Sequence, residues 1–252
     1  QVLGERYQVL ELLGRGGMGE VWHAFDLKLR VEVALKALRE DLFKSERRLE
    51  MLRDEVRAAR VVVSPNVCRI FDLIEIEGRE LVSMEYVDGA TLLGVLQERG
   101  PLELKEAQDI ASQFLAGLEA IHKVGLVHRD VKPENIMLTR AGRVVVMDFG
   151  LARQEAEGGG SVSGTPAYMA PEQAAGQTPD ARADFGLLAF GLFGDFALDG
   201  ERSVVAQLGQ RAEEVLHAHV AFAEGDLGAP LFAGPGRPLG VLAVDAADQV
   251  PH

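Results

Sequence analysis

Cysteine, tryptophan, positive charge and long apolar runs are all scarce in this 252-residue chain, and each scarcity removes a class of protein. The single cysteine, Cys68, excludes an intramolecular disulfide and fits a reducing compartment, so a cytoplasmic location is expected. It sits in the apolar run Asn66–Phe71, where a buried structural thiol is the expected role. The longest apolar stretch, around Phe185–Leu198, is interrupted by Asp195 and is too short to span a bilayer. No charged-then-apolar segment opens the chain, which begins at Gln1 without a methionine, as part of a longer product would. Lys and Arg number 26 against 39 Asp and Glu, and the resulting net charge of −13 disfavours nucleic acid or an anionic membrane as partner. What is present, 47% hydrophobic residues, suits a soluble globular protein with one large domain or two lobes.

Residues 7–38 read as three strands, with a glycine turn, Gly14–Gly19, between the first and the second. Ser45 to about Val62 reads as a helix, with Leu49, Leu52, Val56 and Ala59 at helical spacing, ended by Ser64-Pro65-Asn66. Two more strands, joined at Glu77-Gly78, complete an expected five-stranded antiparallel sheet with one helix. Apolar residues at 104, 107, 110, 111, 114, 115, 118 and 121 then predict an amphipathic helix over Leu104–Lys123. The segment EAEGGGSVSG that follows the central motif reads as a mobile loop.

The most informative stretch runs from His128 to Gly150, HRDVKPENIMLTRAGRVVVMDFG. Two short apolar runs joined by a turn-like TRAGR read as a hairpin, with Asp130 at its entrance and Asp148 at its exit. Such a hairpin brings two carboxylates to one edge, which suits phosphoryl transfer from a metal-bound nucleotide: one acid for the incoming hydroxyl, one for the metal. Upstream, Gly14, Gly16 and Gly19 precede Val21 in a GxGxxGxV pattern. That pattern also marks dinucleotide-binding turns, but here it leads into a strand and not a helix. Three glycines let backbone amides approach phosphates without Cβ obstruction; an ordinary flexible hairpin is the other reading. Lys36, in the apolar run VALK, is either a snorkelling side chain or, with Glu55 on the helix, half of an ion pair that steadies an ammonium against phosphate.

Taken together in this order, LGRGGMGEVW, VALK, Glu55, SPNV, HRDVKPEN, DFG, GTPAYMAPE and Asp184 resemble the eukaryotic-like protein kinases, and most of all the bacterial Ser/Thr protein kinases. The resemblance covers residues 7–184. It implies an α+β, two-lobed protein kinase-like fold: an ATP-binding lobe over residues 1–87, then a mainly helical lobe with the catalytic loop over 88–184. It implies ATP and Mg2+ as cofactors and Ser/Thr on protein substrates as partners, autophosphorylation in trans included. Asp130 would orient or deprotonate the substrate hydroxyl, Lys132 would neutralise the transferring phosphoryl, and Asn135 and Asp148 would hold magnesium. Lys36, steadied by Glu55, would bind the α- and β-phosphates under the Gly14–Gly19 lid. Val21, Ala34 and Met137 match the apolar sandwich for adenine, with an ordinary core role as the alternative. Met84 matches the gatekeeper, and Glu85 to Val87 would offer backbone hydrogen bonds to adenine. His128 and Phe149 match packing positions. GTPAYMAPE matches a peptide-docking segment, placing Thr165 near Asp130. A phosphate on Ser161 or Ser163 could pair with Arg129; an unmodified serine pair is the alternative.

The pattern weakens after Asp184. No lysine follows Lys132, and residues 185–252 hold three basic against nine acidic residues and ten of the 28 glycines. Gly186, Gly191, Gly194 and Gly200 are poorly suited to a core helix, each costing about 1 kcal/mol relative to Ala. A late Arg237 to pair with Glu172 is as readily a chance Arg-Pro. Two accounts stand for 185–252: a divergent genuine tail, or a reading frame shifted near codon 185. With the second, the chain would be a remnant that at most binds nucleotide. If the frame is shifted, an alternative frame downstream in the coding DNA restores a kinase-like lobe; if none does, that account fails.

Overall fold

The computed structural model describes residues 1–16, 19–38, 45–149, 170, 173, 177 and 179–187. The larger sheet has six strands in the order β1-β2-β3-β4-β6-β5: β1 (Val2–Leu3), β2 (Tyr7–Gly16), β3 (Gly19–Asp26), β4 (Val31–Leu38), β5 (Ile70–Ile76) and β6 (Arg79–Glu85). All neighbours pair antiparallel. The expected count was five. The sixth strand is the two-residue β1, folded back on β2 through Gly4 and Glu5, both at positive φ. Its Leu3 packs on an apolar cluster of Tyr7, Ala24, Val33, Leu35 and Leu81 that no periodicity in a two-residue strand could announce.

Cross-strand register explains the two faces of this sheet. Residues directly opposite share a face, and alternate residues along a strand change face. Ala24, Val33, Leu35 and Leu81 therefore lie on one face, and Ala34, Val82, Met84 and Ile70 on the other, each set in its own apolar cluster. The β5–β6 hairpin turns through Glu77 (φ 53°) and Gly78 (φ 74°), the double positive-φ geometry that matches strand twist. Behind β3, buried Asp26 accepts the backbone N–H groups of Lys28 and Leu29 and a two-nitrogen contact from Arg6. Burial pushes the Asp26 carboxyl up, but Arg6 and these amides outweigh it and hold the group below the ordinary carboxylate range.

Helix α1 (Glu46–Val61) buries Leu52, Val56 and Ala59 on the same cluster as Ala34 and Met84. After it, Asn66 stitches the two halves of the protein together. Its Nδ2 donates to Val144 O at 2.9 Å and Gln113 Oε1 at 3.2 Å, and its carbonyl accepts from Val146 N. Three strands form a second sheet, β7 (Gly89–Thr91), β8 (Ile136–Thr139) and β9 (Val144–Val146), where the sequence suggested only the β8–β9 hairpin. Thr91 also caps helix α2 (Leu92–Arg99), its Oγ1 accepting from Gly94 N at 3.0 Å.

Helix α3 (Leu104–His122) matches its predicted span. It buries Ala107, Ile110, Ala111, Phe114, Leu115, Leu118 and Ile121, whereas Leu104 in the first turn is exposed. Helix α4 (Ala181–Leu187) forms with Gly186 inside it, so the glycine penalty anticipated there is overcome in this turn. None of the described helices is long and apolar enough to cross a membrane.

α3 packs closely on β9 at Gly117. A Cβ there would come 2.7 Å from Asn66 O and 2.8 Å from Val146 Cγ2. Overpacking costs about 1–3 kcal/mol and outweighs the roughly 1 kcal/mol that Ala gains over Gly in a helix. Gly117→Ala should therefore destabilise the protein, by about 1 kcal/mol, and Gly117→Leu by more. Urea unfolding midpoints at or above wild type for both variants would contradict this packing.

Candidate active site

The loop between α3 and β8 is anchored by a carboxylate from far along the chain. Asp184, buried at 1% exposure on α4, accepts the backbone N–H of His128 at 2.7 Å through Oδ2 and that of Arg129 at 2.8 Å through Oδ1. Its Oδ2 also lies 2.8 Å from Nε2 of His122, the last residue of α3. Arg129 sits at φ 69°, a left-handed conformation that costs a non-glycine residue on the order of 1 kcal/mol. His128 is buried beneath it. With Nε2 donating to Met147 O (2.8 Å) and Nδ1 accepting from Asp130 N (3.3 Å), its ring links the loop to the strand leading to Asp148. This is the packing role expected of it. Gln173 braces the same turn: Nε2 donates to Arg129 O at 2.8 Å, and Oε1 accepts from Ala170 N at 3.1 Å.

From this platform Asp130, Lys132 and Asn135 converge. Asp130 Oδ2 lies 2.7 Å from Lys132 Nζ and accepts from Asn135 Nδ2 at 2.9 Å. The same Nδ2 donates to the Asp130 carbonyl at 2.7 Å. The short 3-10 turn Pro133–Asn135 sets this geometry and delivers the chain into β8. Met147 N donates to Asn135 O at 2.8 Å, which sets the hairpin's exit beside its entrance. There Asp148, at φ 56°, lies 2.8 Å from Nζ of Lys36, reaching from β4. Burial pushes the Asp148 carboxyl up, but the Lys36 ammonium outweighs it, helped by Lys132, and holds the group below the ordinary range. Lys36 is itself buried, and Glu55 is buried on α1.

Gly14, Val21, Ala34, Lys36 and Met84, all expected to meet the nucleotide, fall on one face of the larger sheet. Gly14, Val21, Lys36 and Val82 form one cross-strand row, and His23, Ala34 and Met84 the next. Ala34, Met84 and Val87 are buried in one apolar cluster, with Val21 and Met137 packed against it, so the five apolar residues expected around adenine share a single environment. In the glycine hairpin Gly16 pairs with Gly19. Gly19 has φ 131°, and a Cβ on it would fall 1.9 Å from Ala37 O, so the strand pairing itself demands glycine. Gly14 faces open space. In the hinge segment Glu85–Val87, Glu85 N–H is committed to Arg69 O at 2.8 Å, and the Glu85 side chain pairs with Arg143. Thr165, Ser161, Ser163, Glu172 and residues 188–252 lie outside the described residues.

Sequence reasoning missed Gln173, Asn66 and Arg143. Each acts through a partner at least 44 residues away. Gln173 and Arg143 carry no local pattern, and Asn66 falls in the motif SPNV, which gives no sign of its bonds to Val144 and Val146.

A family model described as protein kinase domain matches residues 7–193, nine residues beyond the resemblance read from motifs. The chain is 41% identical over 194 residues to the serine/threonine-protein kinase PknB of Mycolicibacterium smegmatis, covering 73% of this chain and 31% of that protein. It is 40% identical over 192 residues to PknB of Mycobacterium tuberculosis, covering 72% and 31%. The chain thus spans less than a third of the length of these relatives. A crystal structure of the Mycobacterium tuberculosis PknI kinase domain superposes with a TM-score of 0.65 at 30% identity, over 78% of this chain and 76% of that one.

The Lys36–Asp148 pair makes a titration prediction. In the wild type the Asp148 carboxyl should titrate below the ordinary value of about 3.9. Its contribution to stability is then complete above that value and lost as pH falls through the lower folded value. Lys36→Met leaves burial opposed only by weaker charges and should move the titration upward. Carboxyl NMR of Asp148 reads this directly; an unmoved resonance midpoint would sink the assignment.

Proposed function

The chain belongs to the protein kinase family, and from that premise we propose that it transfers the γ-phosphoryl group of ATP to Ser or Thr hydroxyls of protein substrates. The observation that supports this best is the clustering of Asp130, Lys132 and Asn135 against Asp148 and Lys36. Both hydrogen bonds of the Asn135 side chain use Nδ2, so the amide turns its Oδ1 the other way. That oxygen and the Asp148 carboxylate, kept ionised at neutral pH, form a hard oxygen donor set that fits Mg2+. When bound there, the ion neutralises charge on the phosphates.

The protein's own residues carry the remaining roles. Asp130 has Oδ2 engaged by Lys132 and Asn135, which leaves Oδ1 to accept the hydroxyl proton of the substrate. The hydroxyl oxygen forms a bond to the γ-phosphorus as the bond to ADP breaks. Lys132, already oriented by Asp130, meets the charge that gathers on the transferring group. Lys36 orients the α- and β-phosphates, and Val21, Ala34 and Met137 hold the adenine ring. The reading places a peptide substrate against Thr165 and the regulatory phosphate on Ser161 or Ser163, with Arg129 as its countercharge.

Phosphate transfer to a generic basic protein, followed with Asp130→Asn as control, tests the central claim. Loss of the carboxylate should lower kcat by about 10³-fold, roughly 4 kcal/mol of barrier, while leaving Mg-ATP affinity intact. Well-folded protein that binds Mg-ATP yet shows no Asp130-dependent transfer would identify an inert nucleotide binder instead. Complete dephosphorylation should lower activity; unchanged activity would remove the role given to Ser161 and Ser163.

A further inference from the structure

His23 takes no part in the chemistry above, yet it lies in the same cross-strand row as Ala34 and Met84, on the face turned to the nucleotide. It is 8% exposed. Its ring lies flat on Tyr86, with centroids 3.7 Å apart and planes 7° from parallel. Tyr86 is the middle residue of the Glu85–Val87 hinge, the segment whose backbone is expected to meet adenine.

Stacked aromatic rings attract beyond the area they bury, and the surroundings of His23 keep its ring in that place. Glu11 on β2 lies 3.4 Å from Nδ1, and Glu32 on β4 lies 3.4 Å from Nε2, so both ring nitrogens face carboxylate oxygens. Both glutamates are more than half exposed, so direct charge attraction contributes little and the stack carries the interaction.

We propose that His23 is a positioning residue for the nucleotide site, holding the hinge in its binding shape by stacking on Tyr86. The assignment rests on the kinase reading for its ligand, but not for its effect on the hinge. Tyr86 joins Met84 and Val87, both fixed in the core, through a short stretch of backbone; clamping its ring restricts the torsions on either side. A nucleotide then meets a hinge that has already lost that freedom.

The test uses the full chain, wild type and with His23→Ala or His23→Phe. Amide hydrogen exchange at residues 86–88 reports the ligand-free hinge, and calorimetry with Mg-ATP reports affinity. His23→Ala should speed exchange at the hinge and weaken ATP binding by about three- to tenfold, the worth of one aromatic pair. His23→Phe, which keeps a ring over Tyr86, should recover both, and His23→Ala should add nothing in a Tyr86→Ala background. Unchanged hinge exchange in His23→Ala overturns the proposal, as does faster exchange with unaltered affinity, or a loss that His23→Phe does not recover. A wild type that fails to bind Mg-ATP removes the kinase reading and this assignment with it. A wild type that binds no better than His23→Ala removes this assignment alone.

Discussion

The carboxylate of Asp184 accepts two consecutive backbone N–H groups, from His128 and Arg129, while touching the ring of His122. Everything chemical in the loop lies downstream of that contact. Two N–H groups pointing the same way require the backbone to turn sharply, and the turn is obtained by placing Arg129 at positive φ. Hydrogen bonds to a buried charge contribute about 1.5–3 kcal/mol each, more than the cost of the strained residue. The carboxylate therefore holds a conformation that the isolated loop would not keep. With Arg129 so turned, Asp130 and Asn135 reach each other and Lys132 joins them.

The second constraint is the register of the larger sheet. Lys36 reaches Asp148 because it faces the same way as Ala34, Met84 and Val82. Its neighbours Leu35 and Ala37 belong to the opposite face. Slipping β4 by one residue would send the ammonium to that face and bring a leucine to the carboxylate. Register is protected against this because both faces are covered by apolar clusters of their own. Burial of the sheet on both sides thus fixes the position of one charge, and that charge decides the ionisation of Asp148.

Much of this could be read from residue order alone. Asp130, Lys132, Asn135 and Asp148 lie close in sequence, and the hairpin between them is announced by apolar runs on either side of a turn. Helix α3 was legible because its stripe is long and regular. The three-residue β7 was not, because Gly89-Ala90-Thr91 has no strand pattern and gains its hydrogen bonds from β8, about fifty residues later. Gly89 fits there because a Cβ would fall 2.3 Å from Leu138 O, a fact about packing that no local rule encodes. The doubt raised by Gly186 has the same origin. One glycine costs a helix about 1 kcal/mol, a weak prior that the buried contacts of Asp184 and Ala183 override.

The hinge combines these themes. Its three residues are each held from a different direction: Glu85 by Arg143 of the β8–β9 turn, Tyr86 by the His23 ring of β3, and Val87 by the apolar core. Fixing the backbone of one residue costs about 1–2 kcal/mol of conformational entropy. For this segment that cost is met during folding. Glu85 also joins the two halves of the protein: its side chain pairs with Arg143 of the β8–β9 turn, and it lies opposite Val33 of β4, the strand that carries Lys36.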